Sequence, residues 1–280
     1  MFLNLKRKTS RLIFLILNNF YEVLKIFKIS FTYNNKKFYT NLFRYKADKK
    51  ILIKEDQFFN ELNLIYDYFK IDKINVIFDI GANIGTWSVS AKKISKKAKL
   101  YSFEPLNYNF NLLKKNLIEY ENIVTMNFAL GNENTRKNIS FPEWETNYKR
   151  IGNSGLFSIS GGTNISAEIV DIKKFDDLSF DLDFKNNGKI FIKIDVEGFE
   201  LEVLKGMSQF VNNYKVIIKL EFNTKSWKKT KINIDDFLFY IKSNNFKIFI
   251  QNKQFLSQIY DQTIKKNYDD NIDRELILIN

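Results

Sequence analysis

The sequence predicts an α/β protein built on a doubly wound, mostly parallel sheet, and three observations carry that expectation. Short apolar runs rich in β-branched residues alternate with helical periodicity through residues 71–280. The first run, Val76-Ile77-Phe78, ends in Asp79 and turns at once through Gly81-Ala82-Asn83-Ile84-Gly85 into a helical pattern. The second, Leu100–Phe103, closes on Glu104 with Pro105 directly behind it. A buried strand, a glycine turn opening a helix and an acid at the tip of the next strand are the parts of a nucleotide-type pocket, in which backbone N–H groups approach the ligand and the acid holds two ribose hydroxyls.

Taken in order, residues 1–70 read as an extension. Lys6, Arg7, Lys8 and Arg11 flank a short apolar run, Leu12–Leu17, far below the ~20 residues of a membrane span. The apolar spacing over residues 1–30 predicts an amphipathic helix that packs on the domain or in a homodimer, with peripheral membrane contact as its rival. Phe31–Phe43 reads as a hairpin turning at Asn34-Asn35, and Ile53–Phe69 as a helix. Strands are then expected at 75–80, 99–104, 123–129, 189–195 and 215–222, with helices at 84–95, 107–118 and 199–207 between them. The stretch 132–184 breaks the rhythm as a glycine-containing insertion with short strands at 137–141 and 167–172. Ile234–Ser243 is a last helix, and Lys247–Ile250 and Glu275–Ile279 a closing strand pair.

Composition removes several chemistries. The 280 residues include no Cys and no His, so disulfides, thiol catalysis, zinc–thiolate sites and imidazole bases are excluded. Acid–base work falls to carboxylates, Lys or Tyr, and any metal must sit among oxygens. The net charge of +12 comes mostly from Lys, with Arg only at positions 7, 11, 44, 136, 150 and 274. Together with abundant Asn, Ile and Phe, this reads as nucleotide bias in the coding sequence and not as a nucleic-acid surface. The only prolines are Pro105 and Pro142, so no base-methylating N/D-P-P-Y motif exists. A cytoplasmic protein, peripheral at the inner membrane if residues 1–30 bind it, is the expectation.

The turn is G-x-N-x-G instead of the G-x-G-x-x-G that suits a pyrophosphate. It points to S-adenosylmethionine (SAM) and a methyltransferase, and away from a nicotinamide oxidoreductase. Three blocks in order then resemble the FkbM-type family of SAM-dependent methyltransferases. They are FDIGANIG with the strand end Phe103-Glu104-Pro105 and Asn109–Asn116; Asn127–Phe141; and FIKIDVEGFELEVLKG at Phe191–Gly206 with Val216–Asn223. The resemblance implies a Rossmann-like class I methyltransferase fold with a seven-stranded sheet whose last strand is antiparallel. It also implies O-methylation of a sugar, a glycan or another hydroxyl-bearing metabolite. Ser154, between Gly152 and Gly155, corresponds to a family loop that closes on substrate, although Ser-Gly is also ordinary turn chemistry.

The candidate cofactor residues are Asp79, Gly81, Ala82, Asn83, Gly85, Glu104, Pro105, Leu106, Asn127, Phe128 and Asp195. Asp79 accepts from the SAM amino group or from loop amides, with a helix N-cap as the alternative. Pro105-Leu106 and Phe128 cover the adenine, whose edge Asn127 reads; ordinary core is the alternative for Phe128. Asp195, Glu197 and Glu221 are the candidate bases, with Glu221 preferred because Asp195 faces the sulfonium, and Asn223 lies on the acceptor side. Alternatively Asp195, Glu221 and Asn223 hold a Mg²⁺ that acidifies the hydroxyl, an ion this sequence permits but does not require.

Overall fold

The computed structural model describes residues 28–41, 45–55, 57–71, 73–140, 166–180, 182, 189–252 and 255–280. The expected amphipathic helix lies outside them, as does Ser154 with most of the glycine-containing insertion. Among the described residues no helix is long and apolar enough to cross a membrane.

Strands β1 (Lys28–Tyr33) and β2 (Lys36–Asn41) form the expected hairpin. Asn34 and Asn35 stand at φ 49° and 60°, the left-handed conformation a two-residue hairpin turn needs and Asn tolerates. Helix α1 (Tyr45–Lys49) runs into a π-helical turn, Lys50–Glu55, before helix α2 (Gln57–Tyr68), so the helix expected over 53–69 is really two pieces.

Next come β3 (Val76–Ile80), α3 (Thr86–Ile94), β4 (Lys99–Phe103), α4 (Asn107–Leu117) and β5 (Ile123–Met126). The strand expected to reach residue 129 breaks at Asn127-Phe128. The Asn127 amide donates to the carbonyls of Glu104 at 2.9 Å and Pro105 at 3.0 Å, fastening the chain to the tip of β4. Beyond the break, β6 (Ala129–Gly131) joins β7 (Thr135–Ser140) and β8 (Ser166–Lys174) in a small sheet ordered β6-β8-β7. The chain continues through β9 (Ile190–Ile194), α5 (Glu200–Gly206), α6 (Ser208–Asn213), β10 (Val216–Phe222), α7 (Thr224–Lys229) and α8 (Ile234–Ser243). It ends with β11 (Lys247–Asn252), β12 (Phe255–Ile259), α9 (Asp261–Asp269) and β13 (Arg274–Ile279).

The main sheet is ordered β12-β11-β13-β10-β9-β3-β4-β5. Seven of its strands match the expected sheet, with β13 antiparallel to both neighbours and Ile248 opposite Leu278 in the closing pair. An eighth, β12, is added antiparallel at the edge, because the segment after β11 doubles back on it before α9. Strand order reverses between β3 and β9, and the crevice at such a switch point opens at the carboxyl ends of the strands.

Alternation along the strands separates two cores. Phe78, Ile192, Ile218 and Leu276 pack on one face with Phe210 and Phe237. Ile77, Phe191, Ile217 and Ile277 pack on the other against Leu62 and Ile65 of α2 and Ala91 of α3. Toward the crevice the second face turns polar: Ser102, Asp79, Lys193 and Lys219 pair in register across four adjacent strands, all buried.

Candidate active site

A cavity of about 260 Å³ opens at the switch point. Its wall starts at the glycine loop. Gly81 stands at φ +78°, and a Cβ there would lie 1.9 Å from the Asp195 carbonyl oxygen, so only glycine allows β3 and β9 to meet so closely. The loop's N–H groups all have protein acceptors. Gly81 and Ala82 donate to the Phe103 carbonyl (3.1 and 2.9 Å), Gly85 to that of Ala82 (2.9 Å), and Ile84 to Asn83 Oδ1 (2.9 Å). The remaining N–H, of Asn83, donates to Glu104 Oε2 at 2.9 Å. This departs from the expectation that the loop offers N–H donors to its ligand.

Glu104 lines the same cavity but is only 4% exposed. Its Oε1 accepts from the Leu106 N–H (3.0 Å) and the Asn109 amide (3.3 Å). Burial pushes its pKa up to about 7 despite those bonds. A carboxylate has about four acceptor sites, so three protein donors leave room for about one strong bond to a ligand. Phe128, Pro105 and Leu106 line the wall beside it, and Phe128 packs edge-on to Phe103 at 5.7 Å.

Opposite the loop lie the acids. Glu221 is one residue beyond Leu220, which pairs with Ile194, so Asp195 and Glu221 sit side by side at the ends of β9 and β10. Carboxylate oxygens of Asp195, Glu197 and Glu221 lie within 4.8 Å of one another. Beneath them, Lys193 Nζ is 3.2 Å from Asp195 Oδ2 and 3.4 Å from Asp79 Oδ1, and it donates to the Gly81 carbonyl at 2.9 Å. Burial alone would raise Asp195, but the Lys193 ammonium and a hydrogen bond with Glu221 bring it below its ordinary value. Glu221 goes the other way: burial, then the charges of Asp195 and Glu197, hold it well above the carboxylate range. The two acids are pushed in opposite directions, as expected for like charges forced together. Glu200, fully buried, shapes the loop between them, accepting from the N–H groups of Val196 and Gly198 at 3.1 Å and from Trp227 Nε1 at 2.9 Å.

Of the residues singled out from sequence, Gly81, Ala82, Asn83, Glu104, Pro105, Leu106, Phe128, Asp195 and Glu197 line the cavity. Five are placed otherwise. Asp79 is fully buried below the loop, bound to Ser88 Oγ at 2.5 Å and facing Lys193, so it supports the wall without forming it. Gly85, at φ +92°, starts α3. The Asn127 amide nitrogen is committed to the β4 tip. Asn223 caps α7, accepting from the Ser226 N–H at 3.1 Å, the ordinary use of Asn between a strand and a helix. Glu221 ends β10 beside Asp195, outside the cavity lining. The cavity also uses residues the sequence reading passed over: Ile51 and Phe58 from the N-terminal extension, Thr86, Trp87 and Lys193. A charged Lys193 inside the apolar run Phe191–Ile194 was the available signal. Trp87 is 2% exposed and its indole N–H has no acceptor among the described residues.

The methyltransferase FkbM domain family matches residues 79–248 of the chain. A hexuronic acid methyltransferase of Haloferax volcanii, AglP, is 29% identical over 147 residues, covering 51% of this chain and 54% of that protein. The chain thus spans about half the length of the curated relative it matches. Among solved structures, the methyltransferase FkbM of Methylobacillus flagellatus superposes with a TM-score of 0.46 at 17% identity, covering 74% of this chain and 44% of that one. The magnesium protoporphyrin IX methyltransferase of Synechocystis, solved with bound SAH, gives 0.41 at 9% identity, covering 84% and 92%.

Proposed function

The chain belongs to the FkbM methyltransferase family, and on that premise we propose that it transfers the methyl group of SAM to a hydroxyl of a sugar or glycan. The observation that carries the donor reading is the polarity of the cavity. A phosphate-bearing cofactor needs free N–H donors, and every N–H of the glycine loop is already bonded to protein. What lines the cavity is acidic, with Glu104, Asp195 and Glu197, which suits a ligand carrying an ammonium and a sulfonium. The residues present therefore fit SAM. Glu104 would hold the ribose, Phe128, Pro105 and Leu106 would cover the adenine, and the Asp195 end would face the methionine part.

When bound, SAM supplies a methyl group already activated by its sulfonium. The chain's own residues must place the acceptor hydroxyl, exclude water and take its proton. Placement alone can contribute ~7–11 kcal/mol, and a positioned base roughly a further 10²–10⁴-fold. Asp195 is the better base, because it lines the cavity and its pKa is held low, whereas Glu221 lies outside the lining with its pKa held high. The proposal thus prefers Asp195 where the sequence alone favoured Glu221. AglP acts, by its name, on a hexuronic acid, and that supports a sugar hydroxyl as acceptor; a nucleic-acid acceptor has no such support.

A second reading rests on the gathering of Asp195, Glu197 and Glu221, an all-oxygen donor set of the kind Mg²⁺ takes. It replaces Asn223, which caps a helix, by Glu197.

The test is methyl transfer from labelled SAM to uronic-acid-bearing glycans, with calorimetry for SAM itself. Asp195→Asn should lower turnover by roughly 10²-fold or more, while Glu221→Gln, at a position outside the cavity lining, should lose far less. A chelator that abolishes activity, with Mg²⁺ restoring it, selects the second reading. Wild-type protein that binds no SAM sinks both.

A further inference from the structure

Lys193 is a fully buried cation that methyl transfer itself does not use. It is the single basic residue among the described residues lining the cavity. Its Nζ touches three elements of the site at once: Asp79 at the end of β3 (3.4 Å), the Gly81 carbonyl in the glycine loop (2.9 Å) and Asp195 at the end of β9 (3.2 Å). The backbones it joins are already in contact, since no Cβ fits between Gly81 and the Asp195 carbonyl. A lysine so deeply buried is costly unless its charge is balanced, and here one carbonyl takes a hydrogen bond while two carboxylates stand at ion-pair distance.

We infer that Lys193 is the positioning residue of the site, a single ammonium that sets the glycine loop against the end of β9 and aims the Asp195 carboxylate into the cavity, with Asp79 as its balancing charge. The inference rests on the SAM reading and adds to it a residue that acts through the loop and Asp195. The neighbouring charges agree with this role. Glu104 faces Lys193 from the tip of β4, Lys219 from β10 is neutralised by Glu61 (3.2 Å) and Glu275 (2.9 Å), and Glu221 leans on Asp195 from the far side. Burial would lower the Lys193 pKa, yet Asp195 and Asp79 hold it above its ordinary value.

The test uses the full chain and SAM, read by calorimetry beside a thermal melt. Asp79→Asn/Lys193→Met removes the cation with one of its two balancing carboxylates, leaving the Gly81 carbonyl and Asp195 without their lysine contact. At a temperature where it is folded it should bind SAM at least roughly tenfold more weakly than the wild type. Lys193→Arg keeps a cation among the same groups and should keep the affinity. A folded double variant with wild-type affinity overturns the inference, and so does a tenfold loss in Lys193→Arg. A wild type that does not bind SAM overturns the donor reading instead, and this inference with it.

Discussion

On one face of strands β3, β9 and β10, Phe78, Ile80, Ile192, Ile194, Ile218 and Leu220 are all buried and all apolar. On the other face of the same strands, Asp79, Lys193 and Lys219 occupy equally buried positions in register. The first face is held by area and shape. Phe78 alone meets Phe175, Phe180 and Phe210 with centroids 4.9 to 5.6 Å away. The second is held by buried lysines paired with acids, an arrangement that apolar residues of similar volume often match or better in stability. The charged face is thus not the stronger way to close the sheet. It is the face whose end forms the cavity, so it is retained for what it presents there.

The largest expected effect comes from the one place where the faces touch the loop. In Gly81→Ala a methyl group would overlap the Asp195 carbonyl, at a φ that costs alanine ~1–2 kcal/mol by itself. The loop must move by an ångström or more, and turnover should fall roughly 10²-fold. Wild-type kinetics in this variant would mean that the β3–β9 contact does not set the site.

Phe78→Ala breaks the apolar face. A buried phenylalanine replaced by alanine should cost about 3–5 kcal/mol in a denaturant titration, while SAM affinity changes little. The comparison fails if affinity drops in step with stability.

Stability should also depend on pH through the acids at the crevice. Burial pushes Glu104 and Glu200 up to about 7, against about 4.5 for an unfolded glutamate. Between those values the folded state binds more protons than the unfolded one, so stability falls as pH rises, and it levels off above 7. Each group contributes up to roughly 3 kcal/mol to that fall. Denaturation midpoints between pH 5 and 8 should show it, with a shallower slope in Glu104→Gln. A stability that rises with pH across this window would contradict the burial assigned to both residues.

The same contrast explains what could be read in advance. Periodicity reports apolar faces, and the strands and helices from Val76 to Leu117 fell close to where it placed them. The glycine turn and Glu104 were legible because a local motif carries them. The charged face was not, because its partners come from far along the chain: Lys219 pairs with Glu61 of α2, and Lys193 with Asp79 of β3. A lysine in an apolar run looks like an interruption until register places an acid beside it. Asp195 and Glu221 were both visible as strand-end acids, but which one has its pKa held low depends on the buried ammonium below. The break at Asn127 depends likewise on carbonyls of the β4 tip, which no local pattern announces.

The smallest effect sharpens the border of the charged region. Asn223 follows β10 directly and invites a place in the site beside Glu221. Its side chain instead accepts the Ser226 N–H at the start of α7. Asn223→Ala should then behave as the loss of a helix cap, costing about 1 kcal/mol, with SAM affinity and turnover unchanged at temperatures where the variant is folded. Asn223→Asp keeps a capping oxygen and adds a charge one residue from Glu221. It should recover the stability, and if the acceptor site ends at Glu221 it should leave turnover alone as well. A large loss of turnover in the alanine variant, without loss of stability, would extend the acceptor site to Asn223 and assign its amide to substrate instead of to the helix.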